Sequence, residues 1–178
     1  MRRFLLLAVV ASGAAPLCAF AQSTTSVLVE LYTSQGCSSS PPADAVLSEL
    51  SRCDGVIALS LHVDNRDYLG LKDEFGRPEY AARQRAYAKA VRARTLYTPQ
   101  LVVQGETKLK GNEAESALAR DGSALLVHLA HSAGSVGAAD VQLARFISSR
   151  TVSIEAGEKA GREITYTNIV IDWRTIGR

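Results

Sequence analysis

The stretch VLVELYTSQGCSSSPPADAVLSEL, Val27 to Leu50, decides how this chain is read. It opens on a nearly continuous apolar run, Val27 to Tyr32, of the kind buried in a parallel sheet. A polar turn follows, then Cys37, the serines 38–40 and the pair Pro41-Pro42. Beyond the prolines, Val46, Leu47, Leu50 and Cys53 recur at i, i+1, i+4 and i+7, which is one face of a helix. The stretch therefore reads as a strand over 26–33, a loop, and a helix over 41–52. Cys37 falls just ahead of the helix N-terminus. Proline suits a first helical turn because its missing N–H would be unpaired there anyway. Ser39 or Ser40 can cap the exposed N–H groups.

The placement has chemical meaning. Unpaired N–H groups and the helix dipole favour negative charge at this end. A cysteine so placed tends toward the thiolate, which is the nucleophilic form. The competing reading is a buried, inert cysteine that serves as a small apolar residue. Cys53 fits that second description, on the apolar face with Val46 and Leu50. A Cys37–Cys53 bridge is not expected, because the helix separates its ends by roughly 18 Å and a disulfide needs Cα atoms within about 7 Å.

After the helix, VIALSLHV at 56–63 reads as a second buried strand. Strand–helix–strand implies a right-handed crossover and parallel pairing. The C-terminal ends of the two strands then share one sheet edge, where open α/β folds bind ligands. Cys37 follows the first strand and Asp64 ends the second, so the two are expected to be neighbours there. His62, Asp64 and Asp67 invite a metal reading, but no second histidine or ligand cysteine has suitable spacing. The favoured reading is polar residues that cap and solvate a loop, with no metal. No cofactor is expected.

A long loop with Gly70 and Gly76 leads to a helix from Pro78 to about Arg94. Tyr80, Gln84, Tyr87 and Val91 form its inner stripe, and Arg83, Arg85, Lys89, Arg92 and Arg94 lie mostly elsewhere, as a solvated face. Tyr97-Thr98-Pro99 precedes a strand at 100–103. Gln104-Gly105-Glu106 turns the chain into 107–110, an antiparallel hairpin. A closing helix is expected at 112–120. Further strands are expected at 124–130, 139–147, 152–156 and 163–173, with turns at 134–137, 148–149 and 157–161. They make a small antiparallel β extension packed on the first unit. His128 and His131, in or near its first strand, read as ordinary polar positions.

The motif TSQGCSSSPPAD, Thr33 to Asp44, resembles a family of secreted bacterial proteins catalogued only as a domain of unknown function, and more broadly the thioredoxin-like proteins. The likeness continues in HVDNRDYLGLKDEF (62–75), ARQRAYA (82–88), YTPQLVV (97–103) and GEKAGREITYTNIV (157–170). The family pattern is Cys-Ser-Ser-Cys, and this chain has Ser40 where the second cysteine would stand. The pattern also has aromatic residues where this chain has Asn65, Arg66 and Leu71. The resemblance implies an α/β, thioredoxin-like mixed sheet with flanking helices over 22–122, followed by the β extension over 123–178. It implies a longer family sequence, so the extension is expected to be truncated.

It also implies site residues. An acidic residue at the place of Glu30 lies buried behind the cysteines in thioredoxin-like proteins. There it would have a raised pKa and could exchange protons with a thiol; as an alternating strand residue, Glu30 would instead face water. A cis-proline is implied at Thr98–Pro99, beside Cys37, where the Thr98 backbone could pair with an extended substrate. Ser40 could hydrogen-bond the Cys37 thiolate.

The first 21 residues read as a secretory signal. Arg2 and Arg3 precede an apolar core at 4–11, and Ala19-Phe20-Ala21 is a small-x-small cleavage site. Cleavage is expected before Gln22, which places the protein in the periplasm. A lipoprotein reading of Cys18 is weaker because bulky Leu17 precedes it. No later apolar run is long enough to span a membrane. Loss of Arg2 and Arg3 brings the formal charge of +2 to about zero, and nothing in that balance suggests a nucleic-acid or acidic-membrane partner.

The expected chemistry is thiol–disulfide exchange through one nucleophile, Cys37, with a protein or small-molecule thiol or disulfide as partner. Without a cysteine at Ser40 the resolving thiol must come from outside. The alternatives are a redox-inactive binding module for a peptide or envelope protein, since a fold alone proves no activity, and a peroxide-sensing thiol oxidised to sulfenate.

Overall fold

Among the described residues, six strands form one mixed sheet in the computed structural model, which describes residues 26–105, 107–110 and 141–177. In chain order these are β1 (Val27–Thr33), α1 (Pro41–Leu50), β2 (Val56–His62), α2 (Pro78–Ala90), β3 (Gln100–Val103), β4 (Thr107–Lys110), β5 (Val141–Ser153) and β6 (Glu163–Gly177). Single 3₁₀ turns occupy Asp67–Leu69 and Gly157–Lys159. The strands lie in the order β4-β3-β1-β2-β6-β5. β1 and β2 pair in parallel, with Thr33 opposite His62. β3 runs antiparallel to both β1 and β4. The α/β architecture inferred from the order of elements is therefore present.

Alternation along β1 sorts the two faces. Val29 and Leu31 point toward α1, where they pack with Ala43, Leu47, Leu50 and Ala58. Tyr32 points the other way, into a cluster with Leu59, Leu61, Val63, Tyr80 and Ala81 of the α2 side. Both faces of the central strands are covered, which explains their continuous apolar sequence. Glu30 shares the α2 face with Tyr32.

The C-terminal part differs from the sequence reading. β5 is one strand of 13 residues and runs straight through Ser148-Ser149, where a turn was expected. It is the outer strand of the sheet and most of its side chains are exposed, so polar residues there do not interrupt it. The expected antiparallel pairing is present in β5–β6, but the pair joins the sheet edge to edge and is not packed on it. Ser60 of β2 pairs in parallel with Ile169 of β6, and the Asn168 side chain donates to the Ala58 carbonyl at 2.9 Å. The described part of the extension thus continues the central sheet. α2 stops at Ala90, and Val91, expected on its inner stripe, is 53% exposed. The signal segment, the helix at 112–120, the strand at 124–130 and His128 and His131 lie outside the described residues.

Candidate functional site

Cys37 is the free cysteine among the described residues. Two tight turns hold its loop: the Cys37 N–H donates to Ser34 O at 3.1 Å, and the Ser40 N–H donates to Cys37 O at 3.2 Å. A side chain at Gly36 would place its Cβ 3.3 Å from Arg66 Cβ, so glycine lets the loops after β1 and β2 pack together. The two loops are neighbours at the sheet edge, as the topology requires. Asp64 is half-buried in the second loop, where its carbonyl accepts from Asp67 N–H at 3.1 Å. Among the described residues, its side chain makes no hydrogen bond to the Cys37 loop.

The Cys37 Sγ donates to the Thr98 carbonyl at 3.4 Å. The Thr98–Pro99 peptide is cis. The strap that carries it is fixed from α2: Gln84 Nε2 donates to Tyr97 O and to Gln100 Oε1, both at 2.8 Å. Asn65 Nδ2 in turn reaches Gln84 Oε1 at 3.3 Å. Thr98 also lines an open groove of about 330 Å³, together with Asn65, Arg66, Tyr68, Leu96 and Tyr97. The nucleophile reading calls for a reachable thiol, yet Cys37 is 5% exposed, because the Thr98 strap covers it.

Ser40 occupies the N-cap position of α1, but its hydroxyl makes no capping bond. Its backbone is already helical (φ −76°, ψ −32°), whereas a capping hydroxyl is presented from the β region. The Ser40 side chain is fully buried and its Oγ has no partner among the described residues.

Glu30 is buried, as one of the two readings had it, but it does not stand behind Cys37. It lies on the α2 face, where Arg83 binds both carboxylate oxygens, Nη2 to Oε1 at 2.7 Å and Nε to Oε2 at 3.0 Å. Tyr32 and Tyr87 donate to the same carboxylate at 2.7 and 3.0 Å. Arg83 lies over the Trp173 ring, 4.1 Å from its centroid, and so is not a solvated helix charge. This assembly locks α2 and β6 to β1, and the Glu30 carboxylate is taken up by Arg83, Tyr32 and Tyr87.

The carboxylate on the cysteine side is Asp44, in the first turn of α1. It is buried, and Thr33 Oγ1 donates to its Oδ1 at 2.9 Å while Oδ2 has no partner among the described residues. Burial is the main cause that pushes its pKa from 3.8 up to about 6, against the charge of His62, the Thr33 hydrogen bond and the charge of Lys159. Next to it His62 Nδ1 lies 2.8 Å from Asp73 Oδ2, both side chains fully buried. Burial would raise the Asp73 carboxyl, but the hydrogen bond and charge of His62, with the N–H groups of Gln35 and Phe75, carry it below its ordinary value. His62 and Asp73 thus form an internal pair and do not solvate a loop.

Two further residues come from the C-terminal hairpin. Lys159 is 2% exposed, and its Nζ donates to the Ser34 carbonyl, at the start of the cysteine loop, at 3.2 Å. Burial lowers its pKa, while the negative charges of Asp44, Cys37 and Asp73 hold it up. Tyr166 packs edge-on against His62 with ring centroids 4.7 Å apart. Burial raises the pKa of its hydroxyl, helped by Asp44, Asp73 and Cys37, so it stays neutral, and it has no hydrogen-bond partner among the described residues. The inner side of the site therefore holds an ammonium, a carboxyl of near-neutral pKa, a phenol and a His–Asp pair. Asp44 is a residue that the sequence reading missed; its spacing of three and six from Leu47 and Leu50, on the buried side of α1, is the signal that could have found it. Lys159, a lysine in a turn far along the chain, carried no such signal.

A pH prediction follows from Asp44. Its folded pKa lies above its unfolded value, so its contribution to stability is fully present below about pH 4 and is lost as pH rises through about 6. Two units correspond to about 3 kcal/mol. Asp44→Asn should therefore gain about 3 kcal/mol relative to wild type between pH 4 and pH 7. Urea unfolding of both proteins across that range checks it, and a difference that does not change with pH would remove the assignment.

Cys53 is buried but is not the free core thiol that the sequence suggested; it is disulfide-bonded. Among the described residues no helix is long and apolar enough to cross a membrane. Among the described residues, fold and site together define an α/β protein with one free, strap-covered cysteine beside a buried polar cluster. The chain belongs to the family described as protein of unknown function (DUF1223), whose family model matches residues 28–178. It is similar to a protein of Agrobacterium tumefaciens with an X-ray crystal structure, at 33% identity and a TM-score of 0.67, over 88% of this chain and 75% of that one. No curated protein matches the chain.

Proposed function

We propose that this is a periplasmic, thioredoxin-like protein that exchanges disulfides through the single thiol of Cys37. The observation that carries this reading is the position of the sulfur. On one side is Thr98, 3.4 Å away, which lines an open groove. Beside its loop is Lys159, whose Nζ donates to the Ser34 carbonyl and whose charge interacts with Asp44 and with Cys37. The thiolate attacks one sulfur of a partner disulfide, that S–S bond breaks, and the partner leaves as a thiolate while Cys37 keeps the mixed disulfide. Asp44 can take up the Cys37 proton near neutral pH, the role first considered for Glu30. The Lys159 ammonium stabilises negative charge at Cys37 when the mixed disulfide is resolved. An external thiol performs that resolution, since the Ser40 hydroxyl cannot.

A second reading, a redox-inactive module that binds a peptide or an envelope protein, is favoured by one fact. Cys37 is 5% exposed and its S–H already has an acceptor. The rate of alkylation separates the two. Exchange chemistry predicts modification of native Cys37 by a small iodoacetamide-type reagent within about tenfold of an unfolded cysteine. Its rate should rise through the Asp44 titration near pH 6, and Asp44→Asn should flatten that rise. Protection of native Cys37 by about a thousandfold or more would favour the binding module.

A further inference from the structure

The segment Arg85–Arg94, RAYAKAVRAR, contains basic residues and no acidic one. Arg85, Lys89, Arg92 and Arg94 surround an open groove of about 550 Å³, with Thr95 and Leu96 along it. All four basic side chains are exposed, and among the described residues none pairs with a carboxylate. The whole chain carries only +2, so this is a local concentration of charge and not part of a generally basic surface. Lys89 lies in the last turn of α2, where a cation offsets the helix dipole. Arg92 and Arg94 lie beyond the helix and are not needed for that.

Leu96 lines this groove and also the one that Thr98 lines beside Cys37. The two grooves therefore adjoin at Leu96, and the four residues from Arg94 to Thr98 span at most about 14 Å. A small anion would need only one end of such a site. A polypeptide that enters Cys37 with its disulfide would pass the basic cluster about four residues away.

We propose that the basic groove is a docking subsite for an acidic, extended segment of the protein whose disulfide Cys37 attacks. This rests on the exchange reading of Cys37. Carboxylates about four to six residues from the cystine meet Arg92 and Arg94, and Arg85 and Lys89 extend the field. The cluster speeds encounter with acidic substrates and leaves the sulfur chemistry unchanged.

The test uses the mature full chain with disulfide-bridged peptides that carry Asp and Glu, or Asn and Gln, at those positions. At low salt the acidic peptide should form the mixed disulfide about tenfold faster than the neutral one. The advantage should shrink as salt is raised. The Arg92→Gln, Arg94→Gln double variant should remove it and keep the neutral-peptide rate. Equal rates with wild type would overturn the proposal, even where both exceed the Cys37→Ser blank and so uphold exchange. If no peptide reacts above that blank, exchange fails and binding decides the subsite. Fluorescence anisotropy of an acidic peptide with serine in place of cystine should then still show binding that the double variant loses. Binding to phosphatidylserine vesicles without binding to the acidic peptide would assign the groove to a lipid surface and overturn the proposal.

Discussion

Ser40→Cys is expected to raise reductant-coupled disulfide turnover by about 100-fold or more over wild type. The wild type should stall at the mixed disulfide until an external thiol arrives. An oriented internal thiol acts at an effective concentration far above that of dilute reductant. The geometry is ready for it: the Ser40 N–H already bonds the Cys37 carbonyl at 3.2 Å, which closes a single turn and brings the two Cα atoms within bridging range. The Ser40 side chain is buried with its Oγ unpartnered among the described residues, so a sulfur there displaces no hydrogen bond that they supply. Turnover is measured with Cys37→Ser as the blank. A wild type that already turns over like the variant would contradict the monothiol reading. A variant as inactive as the blank would shift the account to the binding module.

The second large effect concerns the opposite face of the sheet. Arg83→Met should destabilise the protein by about 3–5 kcal/mol, because it strands the Glu30 carboxylate in the interior. Glu30 is fully buried, while Arg83 holds it with two hydrogen bonds and stacks on Trp173 of β6. Tyr32 and Tyr87 would remain as donors to Glu30, which places the loss toward the lower end of that range. Denaturant unfolding measures it, and a loss below about 1 kcal/mol would mean that the pair behaves as a surface ion pair. Glu30→Gln should leave the pH profile of Cys37 alkylation in place, whereas Asp44→Asn should change it. A shifted profile in Glu30→Gln would return Glu30 to the proton role.

The central elements were legible because local chemistry and burial agree there. The apolar runs at 27–32 and 56–63, the Pro41-Pro42 start and Thr98-Pro99 all mark structure that the chain adopts. Glu30 was harder because period-2 alternation assigns it a face but not which helix covers that face. The covering residue, Arg83, lies 53 positions away. Burial of Cys37 likewise depends on a strap 61 residues downstream. Lys159 reaches Ser34 across 125 residues, and no pattern within the 157–161 turn announces that contact. The serines at 148–149 misled because an exposed outer strand tolerates polar residues that elsewhere signal a turn.

The most direct test is the mass of the native protein after incubation with a disulfide-bridged peptide. One peptide per chain is expected, mapped to Cys37, released by added thiol and missing from Cys37→Ser. A native protein that stays unmodified, under conditions where its unfolded form takes up the peptide at Cys37, would contradict exchange through Cys37.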